Sequence, residues 1–192
     1  MEQNSLFSEI YAIDPATDLY MIEIALDRYA DVFNEWDPAP FKRRSLDDDL
    51  ELYLEGSSEE IPLCYAIELC FTIPPGIRDE HLEEETRNGL RNSFLFKMYL
   101  LRRELAKINT QILRYIVLGF LCLWISAILS KRLGADTLVS LIIDALIIGG
   151  WVFLWEAVSL FFFTNREIYH RYRLYKRLYD SPIVFRETAK TT

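Results

Sequence analysis

The chain has 192 residues, 51% of them hydrophobic, with 29 Asp and Glu against 21 Lys and Arg and a formal net charge of -8. Residues 1–88 carry 22 acidic and 6 basic side chains, net -16, whereas residues 89–192 carry 7 and 15, net +8. So uneven a division argues against a uniform globular domain and for an acidic head on a basic, apolar anchor. The head lacks the clustered Lys and Arg that phosphate recognition needs, which disfavours nucleic acid as a partner.

Residues 1–18 contain Glu2, Glu9, Asp14 and Asp18 and no Lys or Arg. They predict a loose polar lead without the basic start and apolar run of a secretory signal, so internal helices would direct insertion. Residues 19–77 are expected to form an acidic α+β head. Within it, Tyr20 to Leu26 is predicted as a strand with Ile22, Ile24 and Leu26 on one face. Two prolines in Trp36-Asp37-Pro38-Ala39-Pro40-Phe41 preclude a regular helix and predict a turn-rich loop. Its aromatic residues, Trp36 and Phe41, are candidates for holding a partner peptide, although packing of the head is the simpler expectation. A helix is predicted from a Ser45 cap, with Asp47, Asp48 and Asp49 at its positive end and Gly56 at its close.

Leu63 to Ile73 alternates strictly between apolar residues and Cys64, Ala66, Glu68, Cys70 and Thr72, the pattern of a half-buried strand ended by Pro74-Pro75-Gly76. Cys64 and Cys70 would lie about 20 Å apart along it, too far to bridge, and reduced cytoplasmic thiols follow. A third strand is predicted at Ile183 to Arg186, in a C-terminal tail, residues 181–192, that returns to the head.

Residues 78–111 predict a stalk helix whose seam, Phe94, Met98, Leu101, Leu105, Ile108 and Ile112, has heptad spacing. Ile168, Tyr172, Tyr175 and Tyr179 repeat that spacing over residues 164–180, so an antiparallel, coiled-coil-like stalk is expected. Between them, residues 112–130 and 137–163 are apolar enough to be transmembrane helices, about 28 and 40 Å long. The loop at 131–136 allows only a tight hairpin. Basic residues flank the outer ends of both spans, from Lys97 to Arg114 and from Arg166 to Arg177. The loop has only Lys131 and Arg132, so both termini are expected in the cytoplasm. The expected fold class is therefore a mainly α membrane protein. It comprises a two-helix transmembrane hairpin, a helical stalk and a small α+β cytoplasmic head, in a membrane expected to be a bacterial inner one.

Carboxylates inside a span are costly and mark function or pairing. Asp144 and Glu156 are 12 residues apart, on different sides of their helix. Glu156 shares a face with Ala145, Gly149 and Val152, and Gly119, Cys122, Ser126 and Ser130 repeat the small-residue spacing in the first span. Small faces are where membrane helices approach. Glu156 is accordingly expected in a helix interface, with Arg114 as its structural counter-charge and Lys131 or Arg132 as that of Asp144.

His81 and Glu85 are one helical turn apart without two further ligands, so no metal or cofactor is expected. No phosphate loop, nucleophile elbow or Cys-x-x-Cys is present, and the chain is expected to be non-enzymatic. The order of elements from about residue 79 to 180 is similar to the layout of mitochondrial calcium uniporter pores. That family carries Trp-Asp and a nearby Glu-Pro at the mouth of its second span. This sequence has Gly134-Ala135-Asp136-Thr137-Leu138-Val139 there, so the resemblance is one of layout alone. Two functional expectations result. One is a homo-oligomeric scaffold in the lipid bilayer that presents its head to a cytoplasmic protein partner. The alternative is an oligomeric ion channel or membrane-perturbing effector with Asp144 or Glu156 in its pathway.

Overall fold

A computed structural model describes residues 10–132 and 137–188. The start of the polar lead, most of the interhelical loop and the last residues of the tail lie outside these. The described residues fall into two compact units, a head of residues 10–99 with 172–188 and a helical unit of residues 100–171.

The head is built on three strands, β1 (Tyr20–Ala25), β2 (Ile67–Ile73) and β3 (Ile183–Glu187), in spatial order β1-β2-β3. All pairings are parallel, with Ile22 opposite Leu69 and Phe71 opposite Phe185. Parallel neighbours need long crossovers. Helix α1 (Asp48–Glu60) lies in the first, and the second contains both long helices. Ile22, Leu69, Phe71 and Ile73 are fully buried, and each such side chain stabilises the fold by about 1.5–3 kcal/mol relative to exposure.

The alternation in β2 predicts one solvated face, yet Ile67 through Phe71 are all buried. The second face is covered by residues 10–18, which are therefore not a loose lead. Ile13 bridges Tyr20 in antiparallel fashion, the Met21 amide donates to the Ala12 carbonyl, and Asp14 is buried. Covering this face encloses the carboxylate of Glu68, which is 0% exposed. Arg186 on β3 answers it, with Nη2 2.7 Å from Asp14 Oδ2 and 3.6 Å from Glu68 Oε1. Thr17 adds a hydroxyl donated to Glu68 Oε2 at 3.2 Å.

Helix α1 begins two residues later than Ser45 capping would give. Asp47 is the cap, its carboxylate accepting from the Asp49 and Leu50 amides, while Ser45 is held by Asp37. Nor does the helix stop at Gly56; it continues to Glu60. Arg177 makes the extension possible. Its guanidinium donates to the carbonyls of Ser58 at 2.9 Å, Ile61 at 2.7 Å and Tyr65 at 2.6 Å. Those donors satisfy the helix end that a left-handed glycine otherwise closes. Tyr65 lies in the turn after Pro62, where its amide returns to the Pro62 carbonyl, so β2 begins only at Ile67. Burial lowers the Arg177 pKa from its ordinary value.

Helix α2 (Glu80–Arg132) is continuous for 53 residues, about 80 Å. Helix α3 (Thr137–Ser159) is followed by a π-helical turn, Leu160–Thr164, and by α4 (Asn165–Asp180). The π turn interrupts what the sequence predicts as one regular span to Phe163, and its extra residue rotates the helix beyond it. Both α2 and the α3–α4 run are long and apolar enough to cross a membrane. Phe94, Met98, Leu101, Ile112, Ile168 and Tyr175 of the predicted seams are buried. Tyr175, however, is hydrogen-bonded to α1.

Replacing Arg177 with Ala would leave three part-buried carbonyls short of a donor. The expected cost is about 2–4 kcal/mol, measurable by chemical denaturation in detergent, with Arg177→Lys recovering only part of it.

Candidate functional site

The structure separates the sequence-predicted site residues into two groups, one in each unit. In the helical unit the contact between α2 and α3 is made by two glycines. A Cβ on Gly119 would lie 2.8 Å from Leu154 Cγ and 3.0 Å from the Gly150 carbonyl oxygen. A Cβ on Gly150 would meet Leu123 Cγ at 2.8 Å and the Gly119 carbonyl oxygen at 3.0 Å. Tyr115 stacks on Phe153 with ring centroids 6.0 Å apart on one side of this contact. Ile112, Ser126 and Ala157 are buried with the glycines, and the Ser126 hydroxyl donates to the Leu123 carbonyl at 2.8 Å.

Gly119 and Ser126 are buried, and on α3 the small residues that meet α2 lie one position beyond the expected Ala145 and Gly149 face. Gly149 has open space where a Cβ would be, and Ala145 is exposed. Gly150 and Ala157 take the contact instead. One residue is about 100° of helix rotation, so the displacement turns Glu156 outward. Glu156, Asp144 and Arg114 are all exposed. Among the described residues no ion pair joins Arg114 to Glu156 or Asp144 to Lys131 or Arg132, although intrachain pairing was the expectation.

Around these charges the surface is apolar and uncovered. Leu113, Val117, Phe120, Trp124, Ile148, Trp151, Trp155 and Phe163 are all exposed, Trp155 by 74%. Nothing among the described residues buries them.

In the head, the expectation that Trp36 and Phe41 serve to pack the head fails for Trp36. Phe41 stacks on Phe33 with centroids 5.1 Å apart, and the Arg44 guanidinium sits 5.6 Å from its ring centre. Trp36 is 93% exposed. The loop beneath it is nevertheless fixed. Asp37 accepts from the Ala39 amide at 3.0 Å and from the Ser45 amide at 2.8 Å. Asn34 accepts from the Trp36 amide at 2.9 Å. The loop lies on α2 at Gly89, where a Cβ would come within 2.6 Å of the Phe33 ring and the Phe41 carbonyl. The Asn92 amide nitrogen donates to the Lys42 carbonyl. Backbone amides donated to Asp37 hold its carboxyl below the ordinary carboxylate pKa.

Sequence reasoning missed Glu51 of α1, which gathers three helices of the head. Its Oε1 accepts from the Tyr175 hydroxyl at 2.6 Å and pairs with Lys97 Nζ at 2.7 Å. Burial, together with Glu51 and Glu55, raises the Tyr175 pKa far above its usual value. His81 and Glu85 come within 4.0 Å on an exposed helix face. Among the described residues no group of three metal-ligating side chains forms, and Cys64, Cys70 and Cys122 are free thiols. Comparison with family models, curated proteins and solved structures finds no match for this chain.

Gly119→Ala and Gly150→Ala should each destabilise the hairpin by about 1–3 kcal/mol through overpacking. Gly149→Ala should be neutral or mildly stabilising, and thermal unfolding in detergent distinguishes these outcomes. The Asp37 shift gives a pH prediction. A depressed carboxylate contributes stability that is present above about pH 3.9, its ordinary pKa, and lost as pH falls through the folded value. The protection of the Ala39 and Ser45 amides relative to intrinsic exchange should therefore fall as pH drops below that value, and Asp37→Asn should abolish the pH dependence.

Proposed function

We propose that the chain is a membrane-anchored scaffold: α2 and α3 form a two-pass hairpin, and the acidic head is presented on the cytoplasmic side to a protein partner. The observation that carries the anchoring is the uncovered apolar surface of two helices that are each long enough to cross a hydrocarbon core. Water would not tolerate so continuous a band of exposed Leu, Ile, Phe and Trp, whereas lipid would solvate it. Both the chain before α2 and the strand after α4 belong to the head, so an even number of crossings is required. The basic flanks from Lys97 to Arg114 and from Arg166 to Arg177 favour the cytoplasmic side for the head.

Trp36 supports the presentation of the head to a partner. A Trp left 93% exposed on a loop held by Asp37 and Asn34 loses little conformational entropy on binding. Trp is also enriched among the residues that dominate binding energy. The exposed acidic residues around the head favour a basic partner surface and repel an anionic leaflet.

Two measurements test this. The full chain expressed in cells should resist alkaline extraction and float with vesicles, and protease added from the cytoplasmic side should reach both ends. The chain in nanodiscs should then capture a partner that Trp36→Ala loses by at least about tenfold, the scale of a hot-spot aromatic. Extraction at high pH would sink the anchoring. Capture indifferent to Trp36→Ala would sink the assignment of that loop.

A further inference from the structure

Arg114 and Glu156 are opposite charges at the edge of an apolar band, and neither has a counter-charge among the described residues. Their positions follow from the α2–α3 contact. The helices run antiparallel, so each residue up one is a residue down the other. The Tyr115–Phe153 stack and the packing of Gly119 against Gly150 and Leu154 therefore bring Arg114 level with Glu156. Rotation about each axis gives their direction. Taking Gly119 and Gly150 as the contact line, Arg114 lies about 140° around α2 and Glu156 about 120° around α3. Because the helices are antiparallel, both turns lead to the same side of the hairpin. Tyr115 and Phe153 independently mark that side, and Leu123 and Leu154, at the glycine contact, mark the other. Asp144 falls with Trp151 and Trp155 on the opposite, bulkier side.

One face of the hairpin thus presents an arginine on one helix and a glutamate on the other, at one depth and without partners among the described residues. Two turns deeper on the same face of α3, about 10 Å from Glu156, Gly149 leaves open space. An axis along the membrane normal preserves depth, and a twofold axis exchanges the left and right halves of a face. Placed on this face, it sets each arginine opposite the other chain's glutamate, twice. We infer that the hairpin pairs with a second copy of itself through reciprocal Arg114–Glu156 ion pairs within the membrane. The inference rests on the membrane-hairpin reading and names the hairpin's partner. The occupant is a second copy because charge and depth are complementary there. A lipid acyl chain would leave Glu156 uncompensated.

The test uses full-length chains carrying distinct fluorescent tags, reconstituted into liposomes at high lipid excess, with association read by energy transfer. Arg114→Glu alone sets two like pairs face to face, as does Glu156→Arg alone. Each should lower association by at least about tenfold relative to the unmodified chain. Mixing the two variants restores both opposite pairs, so energy transfer should return between unlike chains and not between like ones. Glu156→Gln, which inserts more readily than the charge reversals, should weaken association without any rescue in the mixture.

Unchanged association of the single variants overturns the inference. So does failure of the mixture when the doubly reversed chain, Arg114→Glu with Glu156→Arg, still associates, since that result marks a pair within one chain. Rings of four or more copies overturn the twofold arrangement. An unmodified chain that floats with vesicles but stays monomeric overturns the pairing alone; one that does not float overturns the membrane reading beneath it.

Discussion

The pairing of β3 with β2 constrains everything else in this chain. Two parallel neighbours cannot be joined by a tight turn, and here the connection between them holds both long helices. The chain must leave the head along α2 and come back along α4 before its sheet is complete. Arg186 makes the return specific. It is the cation that compensates Glu68 on the central strand and Asp14 on the covering segment. Asp14, Arg186 and, on the central strand, Glu68 therefore share a single charge balance across 172 residues of sequence. Removing the half-exposed arginine would leave the enclosed Glu68 and Asp14 carboxylates without their counter-charge, which is destabilising.

A similar economy holds the helices of the head together. Arg177 supplies the donors that end α1, and Glu51 of α1 supplies the acceptor that Tyr175 and Lys97 share. Hydrogen bonds to charged groups are stronger than neutral ones, and those of Arg177 fall where a helix end would otherwise leave carbonyls bare. The basic run in α4 thus has two roles along its length. Arg177 is built into the head, while Arg173 and Lys176 are exposed.

What could be read beforehand follows from the range of the interactions concerned. The two apolar helices and the strand at residues 67–73 are local patterns, visible in hydropathy and alternation. The burial of both faces of that strand was not visible, because it depends on a covering segment some fifty residues away, tied through Asp14 and Thr17. Ser45 is as good a cap as Asp47 by residue type, and only its capture by Asp37 decides between them. Gly149 and Gly150 are equivalent as letters and about 100° apart as positions on a helix. The choice between them is made by Leu123 and Leu154 on the facing surfaces, and it carries Glu156 out of the predicted interface. Exposure of Trp36 was equally hidden. The prolines predict its loop, but only the stacking of Phe33 on Phe41 shows which aromatic is spent on packing.

The late position of β3 also has a consequence in time. About 110 residues separate the end of β2 from the start of β3, and at ordinary rates of synthesis they take about 5–20 s to appear. Throughout that interval β2 has one pairing edge unfilled and the carboxylate of Glu68 lacks its arginine. An open strand edge is a template for wrong pairing, and a carboxylate with no counter-charge favours staying wet. Completion of the head thus waits on the residues made last: β3 fills the open edge of β2, and Arg186 brings the cation that faces Glu68.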